Sequence, residues 1–290
     1  MVTCKACGYV GKYTAEPCPL CGRRTKLTKE ELAQVLKLLL SSMKGKDAER
    51  SQKLLKSLAD EGYTDAVREY ARFIEKSRSS SKNLDLAMDY YFLGAKNNDP
   101  YSAFSYSRLI SRVNSNAAFF WLIYSALLGC SEAYPTAAEE MMAKGNTEGA
   151  VYFLSLAAAS DDVESIVKLS KMYYEGDGIE KDPSYAKWYM DKLKLPPIYA
   201  IKLAYKLRGE ASKEPPQLSQ KAHTDIVTLL AGLAKRMQYD EAYFNLSKIL
   251  MQKGDAEAAA TVAKWMIWGK ACEADVPCGM KILQNGAKRG

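Results

Sequence analysis

Four cysteines near the start of the chain carry the clearest chemistry. Cys4 and Cys7 form one C-x2-C pair, and Cys18 and Cys21 form a second after ten intervening residues. Gly8 and Gly22 follow the two pairs directly. A C-x-x-C-G segment makes a tight knuckle. Its two thiolates converge on one ion, and the glycine tolerates the left-handed backbone that the turn requires. Two such knuckles close a tetrahedral shell of four sulfurs, which leaves no position open for a substrate. The expected ion is therefore structural. A head this short cannot fold on apolar burial, so metal binding would supply its folding energy.

This pattern resembles zinc ribbons. Cys4-Lys-Ala-Cys7-Gly-Tyr-Val with the later Cys18-Pro-Leu-Cys21-Gly also looks like the rubredoxin knuckle pair, which holds iron. Sulfur ligands alone do not choose between the two ions. The aromatic-rich rubredoxin core is missing here, so Zn2+ is the expected ion, with Fe and a redox-active head as the alternative. The chain carries a net charge of +7. Residues 1–46 hold nine Lys and Arg against three acids, and the rest is nearly balanced. A basic head (Lys5, Lys12, Arg23, Arg24, Lys26) offers a second alternative, contact with nucleic acid phosphates.

Other chemistry is poorly supplied. His223 is the only histidine, which removes Ser/His/Asp, Cys/His and histidine-metal sites. Glu139 and Glu140 are adjacent and diverge on a helix. Gly176-Asp-Gly178 lacks the Gly-Lys-Ser/Thr of a phosphate loop. Cys130, Cys272 and Cys278 read as buried small residues. No enzyme is expected. The start lacks a basic stretch followed by a long apolar run, and the longest apolar run, 117–130, suits a buried helix better than a membrane span. Reduced cysteines and these absences make the cytoplasm the expected compartment, with no membrane partner.

The rest of the chain must be the body that carries this head. Thr28 and Glu31 form a capping box for a helix over 29–43, with Leu32, Val35, Leu36, Leu39 and Leu40 on one face. Beyond it, small residues recur early in successive first helices at Ala66, Ala103, Ala133, Ser165, Ala200, Ala242 and Cys278, with a mean spacing of about 35. Second helices carry matching anchors at Ala87, Ala118, Ala150, Ala186 and Ala263, each 14–16 residues before the next first-helix anchor where one follows. The clearest copy spans 163–193: Leu169-Ser170, Gly176-x-Gly178, Asp182-Pro183, then Ala186-x-Trp188-Tyr189. It resembles the Sel1-like repeat, a relative of the tetratricopeptide repeat. The resemblance is weaker elsewhere in 50–290, and a Pro-rich loop at 213–216 makes the unit at 200–236 irregular.

That resemblance implies an all-α fold, a right-handed α-solenoid of helix hairpins, preceded by the small zinc ribbon. The expected division is a head over 1–26, a linker and capping helix over 27–45, and the array over 46–290. It also implies a scaffold or adaptor that binds a protein or peptide on the concave face lined by first helices. Positions +2, +6 and +9 from each anchor are the expected concave set. They give Arg68, Arg72, Arg112, Lys171, Tyr174, Lys202, Lys206 and Lys248 as partner-binding candidates, with Val167 and Phe244 among their apolar neighbours. Basic residues dominate this set, so an acidic peptide is the expected occupant. The sequence carries no sign of oligomeric state.

Overall fold

The computed structural model describes residues 2–3, 10–11, 29–42, 48–77 and 81–287. Two short strands, β1 (Val2–Thr3) and β2 (Val10–Gly11), pair antiparallel, with Thr3 opposite Val10. Fifteen helices follow among the described residues. They are α1 (Lys29–Ser42), α2 (Ala48–Asp60), α3 (Thr64–Ser77), α4 (Ser81–Lys96), α5 (Pro100–Ile110), α6 (Ser115–Leu127), α7 (Tyr134–Ala143) and α8 (Thr147–Ala159). After these come α9 (Val163–Glu175), α10 (Pro183–Asp191), α11 (Ile201–Lys206), α12 (Gln220–Met237), α13 (Asp240–Gln252), α14 (Ala256–Trp268) and α15 (Val276–Ala287). The chain forms two compact units, residues 1–87 and 88–290, divided inside α4.

In the first unit, α1 packs on α2 and α2 on α3. Leu32 and Leu36 are buried, one helical turn apart, whereas Leu40 from the expected apolar face is exposed. Ser51, Leu55 and Ala59 form the buried stripe of α2. Ser51 lies 15 residues before Ala66, the interval that separates second-helix from first-helix anchors elsewhere. Helix α2 thus fits the repeat pattern one helix earlier than the spacing alone indicates.

The second unit is built from hairpins α5–α6, α7–α8, α9–α10 and α13–α14. Of the twelve small-residue anchors in the whole chain, eleven are buried. The exception is Cys278, which is half-exposed. Its neighbour Gly279 is buried and makes the close approach instead. Ser170 shows what the small polar anchors do. Its hydroxyl donates to the Ala186 carbonyl at 2.7 Å and ties α9 to α10.

Four of the turns follow one local rule. A residue with positive φ ends one helix, and the next residue caps the following helix with its side-chain oxygen. Asn98-Asp99, Gly145-Asn146, Asp161-Asp162 and Gly254-Asp255 all do so. In the longer turn of the 163–193 unit, Gly176 and Gly178 both have positive φ, and Asp182 caps the Ser184 and Tyr185 amides ahead of Pro183. Pro135 is tolerated because it falls in the first turn of α7.

One connection breaks the simple order. Helix α11 has only six residues, and a 3-10 turn (Leu207–Gly209) and an irregular stretch through Pro215 and Pro216 follow it. The next helix, α12, packs against α6, α8 and α13. Helix α6 needs that cover. Residues 117–126 are all buried, so its apolar character runs around the whole helix. Trp121 sits 4.9 Å from the Tyr239 ring, between ring centroids, and Phe120 sits 5.1 Å from it. Tyr124 donates to Asn98 Oδ1 at 2.6 Å, and Asn245 Nδ2 donates to the same oxygen at 2.7 Å. Burial pushes the Tyr124 phenol up to about 12, partly offset by its hydrogen bond with Asn245.

His223 on α12 lies 5.8 Å from the Tyr152 ring. Burial, then the nearby Lys253 ammonium, lowers its pKa below the usual 6.5. The folded chain therefore holds this proton less strongly than the unfolded chain. The His223 contribution is complete above about pH 6.5 and is lost as pH falls below that value. Thermal melts from pH 7.5 down to about pH 5 are expected to fall less steeply for His223→Gln than for the wild type. Identical slopes would contradict a half-buried imidazole that holds its proton less strongly in the folded chain.

Candidate interaction surface

Cys4, Cys7, Cys18 and Cys21 lie outside the described residues, as do the head's basic residues Lys5, Lys12, Arg23, Arg24 and Lys26. Two of the other three cysteines are held as protonated thiols. Burial pushes the Cys130 thiol up to about 11, and burial raises that of Cys272 as well. Among the described residues no helix is long and apolar enough to cross a membrane.

The groove candidates separate into several groups. In the first unit, Arg68 pairs with Asp65 at 2.7 Å, and Arg72 approaches Glu69 at 3.4 Å. In the second unit, Arg112 is exposed in the turn between α5 and α6. Lys248 lies over the Phe244 ring at 5.1 Å. Phe244 itself is buried and stacks parallel to Trp265, and Val167 is buried on α9. Those two are therefore core residues and do not line a groove. The +2 position turns inward wherever the first helix is covered on that side.

Tyr174 and Lys206, by contrast, come together. The Lys206 ammonium lies 5.5 Å from the Tyr174 ring centroid, and Lys181 lies 5.7 Å from it. Lys171 is exposed one turn before Tyr174 and approaches Glu175 at 3.8 Å. Lys202 is exposed one turn before Lys206 on α11. Helix α11 is held in place by a small core of Val167, Ala186, Met190, Ala200 and Leu207. A half-buried aromatic ring beside two ammonium groups is a favourable arrangement, worth about 0.5–1 kcal/mol per pair at exposed sites. It keeps both cations at the surface, where an anionic group can reach them.

Spacing from the anchors missed Lys181 and the apolar residues around α11. A different signal marks the apolar residues. From Lys192 to Gly209 the chain has no acid but has Lys192, Lys194, Lys202, Lys206 and Arg208, interleaved with Leu195, Ile198, Tyr199, Ile201 and Tyr205. A second feature sits elsewhere in this unit. A cleft of about 440 Å³ between α5, α6 and α7 has Phe104, Phe119 and Leu122 in its lining, with Arg108, Glu140 and Lys144 among the charged groups.

The Sel1 repeat family matches residues 64–99, 103–130, 140–162 and 163–193. The first segment spans α3 and α4, the second and fourth follow the hairpins α5–α6 and α9–α10, and the third takes in the end of α7 and all of α8. The matches stop at 193, so α11–α15 lie beyond them. No curated protein matches the chain. Among solved structures, the chain is similar to a Sel1 repeat protein from Oxalobacter formigenes, at 15% identity and a TM-score of 0.46, over 90% of this chain and 84% of that one. It is also similar to c5321, a protective antigen of uropathogenic Escherichia coli strains with an SLR fold, at 18% identity and a TM-score of 0.43, over 82% of this chain. The chain spans about half (49%) of that antigen's length. The hairpins, their buried small-residue anchors and the family match agree on one point: residues 64–193 carry four Sel1 repeats.

Proposed function

We propose that this protein is a cytoplasmic, non-enzymatic interaction scaffold that binds an acidic segment of a partner protein at the α9–α11 end of its second unit. Lys171, Tyr174, Lys202 and Lys206 are the contact residues, joined by Lys181. The carrying observation is Tyr174, set between 5.5 and 5.7 Å from two ammonium groups. The surrounding stretch from Lys192 to Gly209 supplies positive charge without acids of its own. Such a surface speeds encounter with anionic partners and rejects cationic ones.

The test is a fluorescence anisotropy titration of the full chain with a labelled, acidic, helix-forming peptide and with its Lys-for-Glu counterpart. The acidic peptide is expected to bind and to weaken with added salt. Lys202→Glu with Lys206→Glu is expected to lower affinity by about tenfold, because two attractions become repulsions. Equal binding of both peptides, or no loss in the double variant, would contradict this reading.

The head, over residues 1–26, is proposed as a structural zinc ribbon with Cys4, Cys7, Cys18 and Cys21 as ligands, followed by the capping segment over 27–45 and the array from 46 to 290. The donor set suits a closed S4 site. Elemental analysis is expected to find about one zinc per chain, and Cys4→Ser with Cys21→Ser is expected to abolish it. Visible absorption from bound iron would instead establish the redox alternative.

A further inference from the structure

In the hairpins α5–α6, α7–α8 and α9–α10, each first helix packs against the helix that follows it. Helix α11 begins in the same way. Ala200 takes the anchor position and is buried, and Leu207, seven residues on, is buried with it. The helix that should then cover α11 does not, because α12 goes to α6, α8 and α13. The outer side of α11 is accordingly left open. Ile198 is 89% exposed, Ile201 51% and Tyr205 72%, with Leu195 at 86% and Tyr199 at 67% beside them.

Several large apolar side chains this open, and this close in sequence, are more than scattered surface residues and suit an interaction site. Its form narrows the choice of occupant. Ile201 and Tyr205 lie one turn apart on the same face of α11, and Ile198 sits in the 3-10 turn that leads into it. Lys202 and Lys206 run beside that face, and Arg208 lies 5.8 Å from the Tyr205 ring. A narrow apolar stripe with a cationic edge matches a rod with an apolar stripe and an anionic edge. It matches a flat bilayer less well, since a bilayer would take up a broad apolar face.

We propose that the partner segment is an acidic amphipathic helix that docks on Leu195, Ile198, Ile201 and Tyr205, in the position that the second helix of this repeat would occupy. This rests on the acidic-partner reading above and adds the helical form and the apolar contacts. The apolar face supplies affinity, and Lys202, Lys206 and Arg208 select for acids along one edge.

The test is selection of random displayed peptides of about 16 residues, or about four helical turns, against the full chain. Selected peptides are expected to carry net negative charge, to place apolar residues at i, i+3 or i+4, and i+7, and to gain helical circular dichroism on binding. The exposed double variant Ile198→Ser with Tyr205→Ser is expected to bind them about tenfold more weakly, with an unchanged melting temperature. Acidic peptides that bind this variant undiminished, or that stay non-helical, would overturn the helix proposal and leave the acidic-partner reading standing. Selection with no acidic bias would overturn both. Two further arms identify other occupants. Sedimentation of the full chain with phosphatidylserine-containing vesicles, lost in Ile198→Ser/Tyr205→Ser, would assign the stripe to a lipid surface. A dimer in sedimentation equilibrium, dissolved by the same variant, would assign it to a second copy of the chain. Either result would overturn the proposal.

Discussion

Replacing Trp121 with Ala is expected to cost about 3–5 kcal/mol of unfolding free energy, the largest loss from a single substitution in this unit. The side chain is 1% exposed. Its ring meets Phe92, Tyr106, Phe120 and Tyr124 edge-on, at centroid separations of 5.1–6.0 Å. Such aromatic pairs add about 0.5–1.5 kcal/mol beyond area burial. The indole N–H contributes nothing favourable, because it is buried without a hydrogen-bond partner among the described residues. Trp121→Phe therefore gives up volume but relieves an unpaired donor, whose burial costs about 1–3 kcal/mol. It is expected to lose much less than Trp121→Ala. Urea unfolding of both variants provides the check. An Ala variant within about 1 kcal/mol of wild type would mean that Trp121 is not packed in this aromatic cluster in solution.

Gly279→Ala is the second large effect, and its sign is informative. Alanine in a helix interior normally gains about 1 kcal/mol over glycine. At this position, however, an added Cβ would lie 2.8 Å from the Ala263 carbonyl oxygen and 2.7 Å from Ile267 Cγ1. The carbonyl is helix backbone and cannot move without shifting α14 against α15. Overpacking of this kind costs about 1–3 kcal/mol, so the clash outweighs the helix propensity. The variant is expected to unfold at lower urea. Cys278→Ala, one residue earlier and half-exposed, is expected to change stability little. A stabilised Gly279→Ala protein would show that α14 and α15 are not closely packed.

These two residues also show what the sequence makes legible. Close approach of neighbouring helices demands a small residue, and that demand repeats with the array. Buried Ala66, Ala103, Ala150, Ala186 and Ala263 were therefore readable from spacing alone. In the last helix two small residues stand side by side, and spacing alone chose Cys278 over Gly279. Turn chemistry was legible at Asp182-Pro183, because an N-cap followed by proline is a local signal. The course of α12 was not. It depends on the aromatic faces of α6 finding Tyr239, more than 100 residues away in sequence. The one local hint is that 117–126 is apolar on all sides, so that a single neighbour cannot cover it.

The candidate surface divides in the same way. Lys171, Tyr174, Lys202 and Lys206 were placed by counting from Ser165 and Ala200, and Tyr174 and Lys206 do meet. Val167 and Phe244 came from the same count and are buried, because the count assumes that every first helix shows the same side to solvent. Ile198, Ile201 and Tyr205 escaped it because apolar residues at helical spacing normally mean core. They are exposed here only because α12 leaves its place in the array.

The most direct measurement is hydrogen–deuterium exchange of the full chain with and without the acidic helical peptide. Protection is expected in segments covering 171–181 and 195–208, with α5, α7 and α13 unchanged. Protection confined to the cleft between α5, α6 and α7, or no protection anywhere, would contradict a binding surface at the α9–α11 end.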